Sequence, residues 1–192
     1  NVKICATHAG ITVGEDGASH QTIEDIALMR TIPGMTVVNP SDGVSTMKLM
    51  EQVVAMKGPG YVRMGRCAVP VNYEESDEIV IGKANLLRQG TDVTIIATGI
   101  MVYDALLAAE QLSLEGISAR VLDMHTIKPL DQEALKKAAS ETGHIVTAEE
   151  HSIIGGLGGA VAEFLSTHHP QSGRLTPPEE QHGYKEGCAA PI

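Results

Sequence analysis

Short runs of β-branched and apolar residues alternate with amphipathic helical stripes twice along this chain, and that order admits few folds. In the first run Val2 to Ala6 reads as a buried strand. A helix follows Thr22, whose hydroxyl precedes Ile23, Ile26, Ala27 and Met29, with Glu24 and Asp25 at the positive end and Pro33-Gly34 as the stop. Met35 to Val38 is a strand and Asn39 to Asp42 a turn. Val44, Met47, Met50 or Leu49, Val53 and Val54 make a helical stripe that ends at Lys57-Gly58, before a strand from Tyr61 to Met64. Polar residues from Val69 to Ser76 read as a linker. The second run places strands at Val93 to Ala97, Ile117 to Leu122 and His144 to Ala148. Its helices run from about Met101 to Leu114, from an Asp131 N-cap to Ser140, and from about Gly158 to Leu165.

This pattern predicts an α/β protein of two units. Residues 1–76 make a mostly parallel sheet with helices on both faces, and residues 77–192 a smaller α/β domain. Beyond His169 the periodicity dissolves into Pro, Gly and charge, so residues 170–192 are expected to be a loop or tail. Because a strand pattern begins at Val2 without an initiating Met, residue 1 is expected to lie inside a larger fold.

Charge narrows the partners. Twenty-four Asp and Glu against 14 Lys and Arg give a net charge of -10, the wrong sign for a surface that neutralises nucleic-acid phosphates or anionic lipid. A bound anion must therefore be met locally. Cys5, Cys67 and Cys188 are odd in number and lack C-x-x-C spacing, which predicts reduced thiols, no zinc framework and a cytoplasmic protein. No apolar run approaches the length of a membrane span.

The densest chemistry lies between Thr7 and Gln21, a strand-to-helix loop holding His8, His20, Glu15, Asp16 and three glycines. Loops at the carboxyl ends of parallel strands are where open α/β sheets bind ligands. Histidines that donate, accept or carry protons beside a carboxylate that accepts from hydroxyls suit a sugar-like ligand; the alternative is a surface loop whose polar groups satisfy its own turns. Arg63 and Arg66 close the last strand of the unit, where a strand end would present a guanidinium to a phosphate or carboxylate; Arg66, after a glycine, either binds an anionic ligand group or makes an internal salt bridge. For Arg63, alternating with Val62 and Met64, the alternative is a side chain that faces solvent or a partner.

The stretch from Glu149 to Gly159 runs from strand to helix. Its glycines permit an anion at the helix start or, more simply, tight packing. Asp123, near a strand end, sits where dinucleotide folds carry a ribose-binding acid, but the first strand of that unit ends in a single glycine, which argues against a nicotinamide site. His168 and His169 lack a third ligand and read as solvated.

T-H-A-G-I-T-V-G-E-D-G-A-S-H-Q, followed by L-M-R-T-I-P-G-M and N-P-S-D-G, closely resembles the pyrimidine-binding domain of transketolases. A-R-V-L-D-M-H-T-I-K-P-L-D and T-A-E-E-H-S-I-I-G-G-L-G-G-A resemble the C-terminal domain of the same thiamine diphosphate superfamily, especially its short or split members. The resemblance spans about residues 1 to 169 and implies transfer of a two-carbon ketol unit from a ketose phosphate to an aldose phosphate. It places His8 in the substrate channel, makes Asp16 the acceptor of a sugar hydroxyl beside the reacting carbon, and sets His20 near the aminopyrimidine and the substrate. It gives Arg66 the sugar phosphate, with His8 and His20 as the catalytic, proton-handling pair. Ala9-Gly10 replaces the Asp-Ser of many transketolases and marks a subfamily.

The resemblance also implies that the catalytic carboxylate, the diphosphate site and a divalent metal, magnesium or calcium, belong to a separate N-terminal domain or subunit. No metal site is expected on this chain. The assembly would be a homodimer or heterotetramer, and this piece alone would be inactive. Deoxyxylulose-phosphate synthase and the β subunit of 2-oxoacid dehydrogenases are the nearest alternatives, and a non-catalytic assembly module is a further one.

Overall fold

Residues 1–168, those described in the computed structural model, build two four-stranded sheets. The first contains β1 (Lys3–Ala6), β2 (Thr36–Val38) and β3 (Gly60–Arg63), with β1 and β2 both parallel to the central β3. The second contains β4 (Asn85–Arg88), β5 (Val93–Ala97), β6 (Ala119–Asp123) and β8 (Ile145–Ala148), in the order β4-β6-β5-β8. Here β5 runs parallel to β6 and β8, while β4 is antiparallel to β6. A short strand from the second half, β7 (Thr126–Lys128), leaves its neighbours and pairs antiparallel with β2, completing the first sheet. The α/β class and mostly parallel pairing are as the alternation predicts.

Both sheets are covered on both faces, because alternate residues of a strand point to opposite sides. Val37 and Tyr61 pack with Ile26 of α1 (Asp25–Thr31) and Ala160 of α5 (Leu157–His168). Val38 and Val62 pack on Val53 of α2 (Gly43–Ala55). In the second sheet Ile95 and Ala97 meet Val102 and Ala105 of α3 (Met101–Leu114). Ile96 faces Leu135 of α4 (Gln132–Glu141), together with Leu157 and Val161. Helix α5 therefore serves both cores.

Several local expectations change. β1 is a strand, but it lies at the sheet edge with Val2 68% exposed and Ile4 also exposed, so it is not buried. Thr22 does not cap α1: the helix starts at Asp25 without a side-chain cap, and Thr22 pairs with Gly10 instead. In α2 the buried face is Ser45, Leu49 and Val53, with Met47 and Val54 left exposed. Asp42 caps that helix in a capping box with Ser45, and its second oxygen accepts from the Asn72 and Tyr73 amides, anchoring the linker. β4 and β7 are strands that the periodicity does not reveal. Cys5 is a free thiol. Cys188, His169 and residues 170–192 lie outside the described residues.

At the junction of the two sheets sit two oppositely perturbed groups. Asp123 is fully buried and accepts hydrogen bonds from Ser41 Oγ and Tyr73 Oη, both at 2.8 Å. Desolvation pushes its carboxyl up to about 7 against these two donors. His125, equally buried, lies 3.0 Å through Nδ1 from Thr126 Oγ1 and 3.1 Å through Nε2 from Asn85 Oδ1. Burial lowers it to about 4, so the ring is neutral. Between those values the folded chain keeps Asp123 protonated and His125 neutral, while the unfolded chain has the reverse, so the proton counts of the pair cancel. Replacing one partner uncovers the other. His125→Gln is expected to make stability fall, relative to the parent, by about 1.4 kcal/mol per pH unit as pH rises from about 4.5 to 6. Asp123→Asn is expected to make it rise by a similar slope. Urea unfolding across that range checks both signs, and profiles parallel to the parent would refute the assignment.

Candidate active site

The carboxyl ends of the adjacent parallel strands β1 and β3 feed the loop 7–24 and the segment 64–68, and the predicted chemistry gathers there. Ala9 N–H donates to Met64 O at 3.1 Å, and Gly10 exchanges backbone hydrogen bonds with Thr22, closing the base of the long loop. Its outer part turns through a short 3-10 segment, Gly14–Asp16, with Val13 fully buried beneath it. His8 has φ +66°, a left-handed conformation that a non-glycine residue adopts at some cost and that is often found at binding sites.

Three of the four predicted residues come together. Asp16 Oδ2 lies 2.5 Å from Arg66 Nε and 3.9 Å from His8 Nε2. Arg66 Nη2 is a further 3.3 Å from Glu15 Oε1. Arg66 thus makes the internal salt bridge that the sequence left as one alternative, while staying exposed at the loop mouth. His20 is not drawn into this cluster. It is exposed, with Nδ1 3.0 Å from Ser19 Oγ, and Nε2 has no partner among the described residues.

Arg63 meets a carboxylate of the chain itself, which rules out the alternative of a solvent-facing or partner-facing side chain: it is only 3% exposed. Its Nε donates to Asp25 Oδ2 at 2.8 Å, and its Nη2 donates to Glu150 O at 2.9 Å and Thr22 O at 3.2 Å. Tyr61 Oη adds a 2.7 Å bond to the same Asp25 oxygen, and burial with this neighbouring carboxylate raises its phenol above the usual range. Beside them His151 is buried, with Nδ1 donating to Ser152 O at 2.7 Å and Nε2 accepting from Ala27 N–H at 3.4 Å.

The glycine-rich start of α5 already holds an anion of the chain's own. Glu149 accepts from the Leu157 amide at 2.6 Å and the Gly158 amide at 2.8 Å, and a Cβ at position 156 would collide with that carboxylate. Asp123 is closed off by Ser41 and Tyr73, which leaves it no ribose to bind. His168 stacks on Phe164 with ring centroids 4.4 Å apart. Among the described residues no group of three or more His, Cys, Asp or Glu is placed to hold a metal ion.

Sequence reasoning misses Glu150. Its carboxylate comes from the second unit and ends against the Ile11 and Thr12 amides of the candidate loop. A glutamate at a strand end carries no sequence signal for so distant a contact.

Comparison with known proteins gives this geometry its context. The model of the transketolase pyrimidine binding domain matches residues 1–71, and that of the transketolase C-terminal domain matches residues 82–185. The chain is 54% identical over 167 residues to one subunit of the apulose-4-phosphate transketolase of Phocaeicola vulgatus, covering 86% of this chain and 54% of that protein. It is 50% identical over 171 residues to the 6-deoxy-6-sulfo-D-fructose transketolase subunit SqwH of a Clostridium species, covering 88% and 53%. A solved structure described as a split gene transketolase, inactive beta4 tetramer, matches with TM-score 0.83 at 50% identity, covering 88% of this chain and 54% of that one. The chain spans about half the length of these relatives. No helix among the described residues is long and apolar enough to cross a membrane. Two strand-end loops that gather His8, Asp16 and Arg66, on a chain whose two units match successive domains of one family, lead to one conclusion: the chain belongs to the transketolase family and carries its pyrimidine-binding and C-terminal domains.

Proposed function

We propose that this chain is the pyrimidine-domain and C-terminal-domain subunit of a two-subunit transketolase, with the division between its units at residues 76 and 77. Its relatives named as a transketolase subunit and as a split-gene enzyme support a second subunit that completes the active site. The reaction is transfer of a two-carbon ketol unit from a ketose bearing a terminal anion to an aldose. The observation that carries this reading is the convergence of His8, Asp16 and Arg66 at one loop mouth.

Each residue has a task that its geometry allows. His8 presents a donor and Asp16 an acceptor 3.9 Å apart, so a sugar hydroxyl that displaces Arg66 Nε from Asp16 Oδ2, an oxygen covered in the free chain, can donate to the carboxylate and accept from the imidazole. That fits the hydroxyl beside the reacting carbonyl. Arg66 turns Nε to Asp16, so its Nη atoms meet the incoming phosphate, or the sulfonate that one relative's name implies. Binding then exchanges the Asp16 and Glu15 contacts of Arg66 for the ligand. His20, exposed and held by Ser19, supplies an Nε2 to the aminopyrimidine and the substrate and shares proton handling with His8.

Thiamine diphosphate, when bound, supplies the electron sink for breaking the carbon–carbon bond. The exposed His20 fits the pyrimidine end of that cofactor, while the diphosphate and its divalent metal are assigned to the partner subunit. The two subunits assemble as dimers or heterotetramers in the cytoplasm.

Mixing the chain with its partner subunit, thiamine diphosphate and magnesium is expected to yield ketol transfer from a ketose phosphate, with no activity from either subunit alone. Product only from pyruvate would favour a deoxyxylulose-phosphate synthase, and a stable complex without turnover would favour an assembly role. In the active complex Asp16→Ala should lower kcat/KM about ten- to a hundredfold for donors hydroxylated beside the carbonyl. Donors lacking that hydroxyl should lose far less, and equal losses would remove the role. Arg66→Met should raise KM about tenfold or more for sugars with an anionic terminus. Neutral sugars should be nearly unaffected, and a uniform rise across both classes would contradict the anchoring.

A further inference from the structure

The substrate loop of the first unit is held by a carboxylate of the second. Glu150 Oε1 accepts hydrogen bonds from two successive amides, Ile11 N–H at 2.7 Å and Thr12 N–H at 2.6 Å. Its other oxygen lies where the Cβ of residue 10 would stand, and Gly10 has φ +93°, so glycine alone leaves the carboxylate its place. The backbone of Glu150 is fixed in turn, because Arg63 donates to its carbonyl while bound to Asp25. The next residues are also docked on the first unit, with Ser152 N–H on Ile23 O at 2.9 Å and His151 on the Ala27 amide.

Ile11 and Thr12 lie between the two residues that read the ligand: His8 is three residues before Ile11, and Asp16 four residues after Thr12. The Gly10–Thr22 pairing closes the base of the loop but does not set the course of residues 11–16. A carboxylate on two adjacent amides contributes to it, beside Gln21 Nε2 on Ile11 O at 3.2 Å and Arg66 on Asp16, since charge-assisted bonds are short and about twice as strong as neutral ones. Resting on the transketolase reading above, we infer that Glu150 is a positioning residue through which the C-terminal domain sets the spacing of His8 and Asp16 and so the enzyme's selectivity for hydroxylated donors.

The test uses the assembled two-subunit complex with cofactor. Two donors are compared: a ketose phosphate hydroxylated beside its carbonyl, and a short ketol donor lacking both that hydroxyl and the phosphate. Glu150→Ala is expected to lower kcat/KM for the first donor by roughly ten- to a hundredfold and for the second by less than about threefold. Glu150→Gln, which keeps an acceptor oxygen, should restore most of the loss. Gly10→Ala should shift the donor ratio in the same direction with Glu150 intact. The double variant Gly10→Ala with Glu150→Ala should be no worse than the stronger single one. If the Glu150→Ala complex does not assemble, Glu150→Asp, which withdraws the carboxylate by one methylene, carries the same comparison.

Amide hydrogen exchange provides a readout independent of turnover. The Ile11 and Thr12 amides should lose protection in Glu150→Ala, or in Glu150→Asp, while those of β5 keep theirs. Equal losses for both donors, or unchanged protection at Ile11 and Thr12, would overturn the inference. A parent complex that fails to turn over any ketose phosphate would instead refute the functional reading, and the exchange measurement would still decide whether Glu150 holds the loop.

Discussion

The buried guanidinium of Arg63 is the contact on which the rest of the molecule hangs. It is nearly inaccessible, it is paired with an equally buried Asp25, and its remaining donors reach the carbonyls of Thr22 and Glu150. A buried ion pair persists only when each partner's bonding capacity is met, and losing one member leaves an uncompensated charge worth about 3–5 kcal/mol. These bonds tie the first turn of α1, the end of β3, the far end of the substrate loop and the last strand turn of the second unit to one side chain. The two units are therefore not beads on a linker: β7 of the second half completes the first sheet, α5 serves both cores, and the Arg63 joint sits between them.

The acidic excess acquires a physical meaning in this setting. Part of it faces inward. Asp42 caps α2 and fastens the linker, Glu149 fills the start of α5, and Glu150 fills the turn at Ile11 and Thr12. Each carboxylate satisfies backbone amides that would otherwise be costly to bury. The glycines at positions 10 and 156 are explained by these anions, since a side chain at either would displace one. The cation that the candidate site offers to a ligand, Arg66, is held among Asp16 and Glu15, which keeps it oriented in a chain of strongly negative charge.

The alternation of apolar runs made the α/β class legible, along with the order of the long elements and the approximate limits of α2, α3 and α4. Short elements escaped. Asn85–Arg88 and Thr126–Lys128 each span only one or two alternations, too few for a period-two pattern to stand out. Their strand character comes from β6 and β2, which supply the pairing. The exposure of Val2 and Ile4 was illegible for a related reason, because an apolar strand reads alike at the edge and in the middle of a sheet.

Local chemistry was what the sequence determined by itself: a loop of histidines, acids and glycines between a strand and a helix, an arginine just past the last strand of the first unit, and the motifs that resemble transketolases. Residue type and short-range spacing suffice for that, since they are properties of the chain and its backbone geometry. Tertiary structure alone decided which of those groups meet. It brought Arg66 across 50 residues of sequence to Asp16, left His20 outside the cluster, buried Arg63 and delivered Glu150 from the other unit. Such contacts are set by how strands stack and cross over, and no periodicity within a single segment encodes them.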